Sequence, residues 1–167
     1  MWPTGMTAGP GVEELVTPLV EAVMRADEAT RRSTVRHLVT ACLPVVIRLL
    51  ARRLVELLLG AAEAERRAAL AALVQIGRPA ARVVAERLTD PCAHASRVRL
   101  ADLLAAIGEQ LSVADRADLH MDLGIAGRLA AGQDERRAIA RAVAVLRRAD
   151  EGPSRPASPR SSSARGP

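Results

Sequence analysis

Apolar residues recur along this chain at the three- and four-residue spacing of a helix face, and turn-forming residues interrupt them at short intervals. The pattern predicts a first helix over 12–26, with Pro18 either in its first turn or breaking it, and a second over 28–43. Pro44 pre-sets φ for a new start, so a third helix is expected over 44–59. There Arg48, Arg52 and Glu56 stand at i, i+4 and i+8 as one polar stripe, and nearly everything else is apolar. So wide an apolar arc suits a helix packed on two sides, or a self-association face over 43–59. A fourth helix over 64–76 places Leu70, Leu73 and Gly77 at inward spacing; Gly77 supplies the stop and Pro79 opens a fifth over 79–89. Asp90-Pro91 marks a turn. The sixth helix covers 96–107 and stops at Gly108, and Ser112 with Asp115 makes an S-x-x-D start for a seventh that reaches 123. Gly124, Gly127 and Gly132 predict a broken stretch, after which Asp134 caps an eighth helix over 135–149.

One motif returns within this series. ERRAALAALVQIG at 65–77, SRVRLADLLAAIG at 96–108 and ERRAIARAVAVLR at 135–147 each carry an arginine in second place, followed by small or apolar residues at helical spacing. A weaker copy, RSTVRHLVTACL, lies at 32–43. Self-similarity of this kind is the signature of stacked helical repeats. Helix pairs so short cannot bury their apolar faces alone, so a stack follows.

Composition narrows the fold class to all-α. The chain has no Phe, no Tyr and one Trp, Trp2, so Leu, Val, Ile and Ala must build the core, and Ala is the best helix former. The segments 1–11 and 150–167 are rich in Pro, Gly and Ser and bury too little to offset their ordering entropy. They are expected to be disordered ends around a helical domain over 12–149. The second of them, a basic Pro/Ser/Arg tail, carries Ser158 and Ser161 to Ser163 as candidate phosphorylation targets. All 24 basic residues are Arg, and 14 of them fall within 25–99 against seven acids. A GC-rich coding bias explains the choice of Arg; phosphate or carboxylate recognition is the functional alternative. Two cysteines, Cys42 and Cys92, make no disulfide framework, and a reducing cytoplasm is the expected setting. No signal-peptide pattern opens the chain. The greasiest segment, 43–59, contains Arg48, Arg52, Arg53 and Glu56, so no membrane span is expected.

The segment 76–108 resembles HEAT repeats, especially the short bacterial HEAT-like class. The residues that carry the resemblance are I-G-R-P-A at 76–80, L-T-D-P at 88–91, and Arg97, Leu104, Ile107 and Gly108. The resemblance implies a right-handed α-solenoid of helix pairs, in which a turn aspartate and a helix arginine bind neighbouring repeats. By match these are Asp90 and Arg97, while Arg66 and Arg136 match the arginine alone. Gly77, Gly108 and Pro79 take the positions that close one helix and open the next. The family consists mostly of protein-binding scaffolds, with rarer members acting on bilin chromophores or alkylated DNA.

Candidate chemistry is sparse. Cys92, His94, His120 and Asp122 could supply metal ligands, but they fall in different repeats and lack a fourth ligand at zinc spacing, so no metal is expected. His37 stands beside Arg36 on a helix and reads as exposed. No nucleophile motif, P-loop or dinucleotide fingerprint occurs, so neither catalysis nor a cofactor is expected. The expected function is a non-catalytic scaffold that binds a protein partner, such as an acidic segment, on a concave row of second helices bearing Arg48, Arg52, Arg78, Arg82 and Arg87. Non-specific nucleic-acid binding through the same arginines and the tail is the alternative. The scarcity of aromatics, which removes base stacking, weighs against it.

Overall fold

Helix is the only regular structure among the described residues, as the Ala- and Leu-rich periodic pattern requires. The computed structural model describes residues 10–148, apart from the side chains of Pro10, Val12, Glu13 and Arg148. Its α-helices are α1 (Pro10–Arg25), α2 (Glu28–Ala41), α3 (Pro44–Gly60), α4 (Glu63–Ile76), α5 (Arg78–Leu88), α6 (Arg97–Gly108), α7 (Val113–Leu129) and α8 (Gln133–Arg148), with a 3-10 helix, Pro91–Ser96, between α5 and α6. The first helix, expected from 12, begins at Pro10. Trp2, the tail serines and nearly all of the two ends lie outside the described residues.

Each helix packs on the one two places ahead. The odd-numbered series α1, α3, α5, α7 is linked in this way, and so is the even-numbered series α2, α4, α6, α8. Sequential contacts knit the two series together, and they are closest from α3 to α4, from α5 to α6 and from α7 to α8. The sequence pattern grouped α2 with α3 and α4 with α5, yet those neighbours touch much less. The chain turns by 115° between α4 and α5. One apolar cluster runs through the whole structure. Much of it is Ala, including Ala69, Ala72, Ala80, Ala81, Ala101 and Ala142, all fully buried. Side chains this small let helix axes approach closely, which compensates for the missing aromatic bulk.

The wide apolar arc of α3 is consumed inside the molecule. Ile47, Leu50, Ala51, Leu54, Val55 and Leu58 are buried, and α1, α4 and α5 pack around them. Leu43 and Val45, at its N-terminal end, stay exposed. Among the described residues, no single helix is long and apolar enough to cross a membrane.

Three local expectations change. Pro18 lies inside α1, on an exposed side where water can reach the carbonyl it leaves without a donor. The stretch after 123 does not break: α7 continues through Gly124 and Gly127 to Leu129. Each helix-interior glycine costs about 1 kcal/mol relative to Ala, and packing offsets it here. Leu119, Leu123 and Ala126 are buried on that helix, and a Cβ at Gly127 would lie 4.0 Å from Ile139 on α8. Finally, α8 begins at Gln133, so Asp134 sits in its first turn rather than capping it.

The two glycines read as stops differ physically. Gly77 has φ +70°, a conformation only glycine adopts without strain, and it separates α4 from α5. Gly108 has no positive φ. It is small because α8 lies against it, so that an added Cβ would sit 2.5 Å from Leu146 Cδ2.

Candidate functional site

The recurring arginine closes the turns. At a helix C-terminus the last carbonyls lack intrahelical donors and carry the negative end of the helix dipole. Arg66 Nε donates to Ala61 O (2.9 Å) and Arg136 Nε to Ala130 O (3.4 Å). Arg97 Nε donates to Leu88 O (3.3 Å) and its Nη2 to Asp90 O (2.9 Å). Two further arginines, unmatched in the sequence reading, do the same. Arg31 donates to Val23 O and Ala26 O, and Arg116 to Gly108 O and Glu109 O. Every turn from an odd- to an even-numbered helix is therefore plugged by a guanidinium. The turns from α2 to α3 and from α4 to α5 instead use Pro44 and Pro79 in the first helical turn. The positional signal for Arg31 and Arg116 was present: like Arg66 and Arg136, each is the fourth residue of its helix.

Arg97 has the richest set of partners. It is fully buried, and its Nη1 also donates to Leu129 O (3.3 Å) and Glu135 Oε2 (2.9 Å) and meets His94 Nδ1 at 2.9 Å. The expected aspartate–arginine link is only half present. Asp90 gives Arg97 its backbone carbonyl, while its carboxylate pairs with Arg87 at 3.2 Å and accepts the Cys92 N–H at 2.9 Å. The carboxylate that serves Arg97 comes from the next copy of the motif, through Glu135. The Arg97 hydrogen bond holds the Glu135 carboxyl below its ordinary range, against the opposing effect of burial; a hydrogen bond from the Ala131 N–H helps.

The five arginines expected to face a partner do share the odd-numbered helices, Arg48 and Arg52 on α3 and Arg78, Arg82 and Arg87 on α5. Four of them are paired within the chain. Arg48 binds Glu86, Arg78 binds Asp115 (2.9 Å), Arg82 binds Asp118 (3.1 Å) and Arg87 binds Asp90. Three of these pairs tie α3 to α5 or α5 to α7, along the direction of packing. Each is solvent-exposed and worth about 0–1 kcal/mol, but together they cancel the charge of that face. Arg52 has no ion-pair partner among the described residues and borders a 330 Å³ groove whose other charged residues are Glu56, Glu86, Arg87 and Asp90.

A different surface carries three arginines, one of which, Arg36, has no ion-pair partner among the described residues, while Arg32 and Arg67 pair with Glu28 and Glu63 on their own helices. Between α2 and α4 lies a groove of about 620 Å³ lined by Arg32, Arg36, Val39 and Thr40 from one helix and by Arg67, Leu70, Ala71, Val74 and Gln75 from the other, with Gln110 at one end. Its lining has three guanidinium groups and no carboxylate. Leu70 was expected to point inward; it is 36% exposed, and Ala69, Ala72, Leu73 and Ile76 fill the core in its place. Helix α4 therefore carries two apolar stripes. The second, Leu70 with Ala71 and Val74 at i, i+1 and i+4, was legible as an excess over one buried face, although its partner on α2 was not.

Compared with known proteins, the chain matches no family model, no curated protein and no solved structure.

The remaining candidates are dispersed. Cys92 and His94 lie in the 3-10 helix, and His120 and Asp122 on α7. Among the described residues, no group of three or more His, Cys, Asp or Glu converges as a metal site. Cys42 is a half-buried free thiol at the end of α2, and Cys92 is an exposed one.

Proposed function

We propose that this chain is a non-catalytic interaction module of a bacterial-type cytoplasm. In this reading the two interleaved helix series form a short HEAT-like right-handed solenoid, and the ligand is a protein. One observation carries it: the same guanidinium plug recurs at successive turns, with i to i+2 helix packing on both sides. A repeated unit that spends its buried polar groups on holding its neighbours leaves its function to the exposed helix faces. An acidic protein segment suits the arginine excess of 25–99. The protein-binding reading and the phosphate-binding alternative both drew on the row of five arginines, the alternative on the tail as well, and four of these five have carboxylate partners.

Affinity capture of the tagged protein from a lysate of its own source, with and without nuclease treatment, tests the reading. A protein recovered in stoichiometric amount supports it. Recovery of nucleic acid alone, lost on nuclease treatment, overturns it in favour of charge-driven phosphate binding.

A further inference from the structure

We infer that the groove between α2 and α4 is the docking site for an acidic amphipathic helix supplied by another protein. The inference rests on the interaction-module reading above and gives it a surface and a ligand chemistry. The groove floor is apolar and open: Val39 from α2 and Leu70 from α4 remain 37% and 36% exposed, with Val74 beside them. Two roughly helix-long stripes that face each other across a trough form the shape that takes a third helix by its apolar side. Position supports this. Arg32, Arg36 and Val39 stand at i, i+4 and i+7 on α2, and Arg67, Leu70 and Val74 at i, i+3 and i+7 on α4, so each wall has a charged end and an apolar end.

Charge complementarity selects the occupant. No carboxylate among the described residues lines the groove. Arg36 has no ion-pair partner among the described residues, and Arg67 is held only by Glu63 at 3.8 Å. Arg32 meets Glu28 at 3.1 Å, one turn back along its own helix. A ligand helix with carboxylates flanking a leucine-type stripe would meet the three guanidinium groups at its edges and the floor with its centre. Residues 1–9 contain no acid, and 150–167 carry three arginines against two carboxylates, Asp150 and Glu151, so neither stretch is an acidic helix.

A display library of helical peptides tests this, with a fixed apolar stripe and randomised flanking positions, selected on the intact protein. The expected result is enrichment of Asp and Glu at the flanks. The double variant Arg36→Glu and Arg67→Glu should bind the selected peptides at least about tenfold more weakly, whereas Arg82→Glu on the opposite face should leave binding unchanged. Both altered side chains are exposed, and an unchanged melting temperature shows that the fold is intact. Enrichment of basic flanks, no enrichment, or equal binding by the groove variant overturns the assignment. If the assignment fails while lysate capture still yields a stoichiometric protein, the module reading stands and only its surface is wrong. If lysate capture yields no protein, the module reading itself fails.

Discussion

Replacing Glu135 by Ala probes the buried link most directly. The Arg97 guanidinium is wholly out of water, and Glu135 Oε2, 2.9 Å from Nη1, is its only counter-charge in hydrogen-bonding range among the described residues. At that separation and an effective dielectric of about 20, the attraction is about 6 kcal/mol. The Glu135 side chain is 13% exposed, so water can follow the lost carboxylate and solvate part of the cation. The carbonyls of Leu88, Asp90 and Leu129 keep their bonds to it. Returning about half of the attraction to water leaves a destabilisation of about 3 kcal/mol, at the low end for breaking a buried pair. Urea unfolding followed by circular dichroism measures it. The pH dependence gives an independent check. Because the Glu135 carboxyl is held below its ordinary value of 4.5, the unfolded chain binds more protons in the window below that value. Its contribution is complete above about pH 4.5 and is lost as the pH falls through the folded-state value. Glu135→Gln should lose that part of the acid slope. A cost below about 1 kcal/mol for Glu135→Ala, with an unchanged acid slope, would refute the view that this pair holds α8 to the α5–α6 turn.

The other predictions concern packing. Gly108→Ala should destabilise by about 1–2 kcal/mol, because its methyl meets the buried Leu146 side chain; thermal melting reads this directly. Gly124→Ala, where nothing lies within 4 Å of the new methyl inside α7, should stabilise by about 0.5–1 kcal/mol, and a lowered melting temperature would mean that α7 is not continuous there. The side-chain oxygen of Gln75 is buried without a donor among the described residues, so Gln75→Met should raise stability by about 1 kcal/mol in urea titration.

The helical reading succeeded where a local rule was strong. Gly77 with Pro79, Pro44, and Ser112 with Asp115 fixed three helix starts, because caps and prolines act within one turn of chain. It failed where a distant neighbour decided. Gly124 and Gly127 read as breakers, and only the packing of α7 against α8 makes that stretch worth ordering. Leu70 fitted the inward period as well as Leu73 did, and which of the two was buried depended on where α2, α3 and α6 lay around α4.

By itself the sequence determined that this protein is helical, where most of its helices begin, and that an arginine recurs in a fixed place near helix starts. Those features follow from backbone propensity, capping and periodicity, which act over a few residues. Only the tertiary structure decided what the arginines do. Charge count cannot distinguish a guanidinium that caps a carbonyl, as Arg97 does, from one paired across helices, as Arg78 is, or one left at a groove, as Arg36 is. The plugged carbonyls lie only 5 to 9 residues back along the chain, but the carboxylates of Glu135 and Asp115 are distant in sequence, and packing alone brings each within 2.9 Å of its guanidinium.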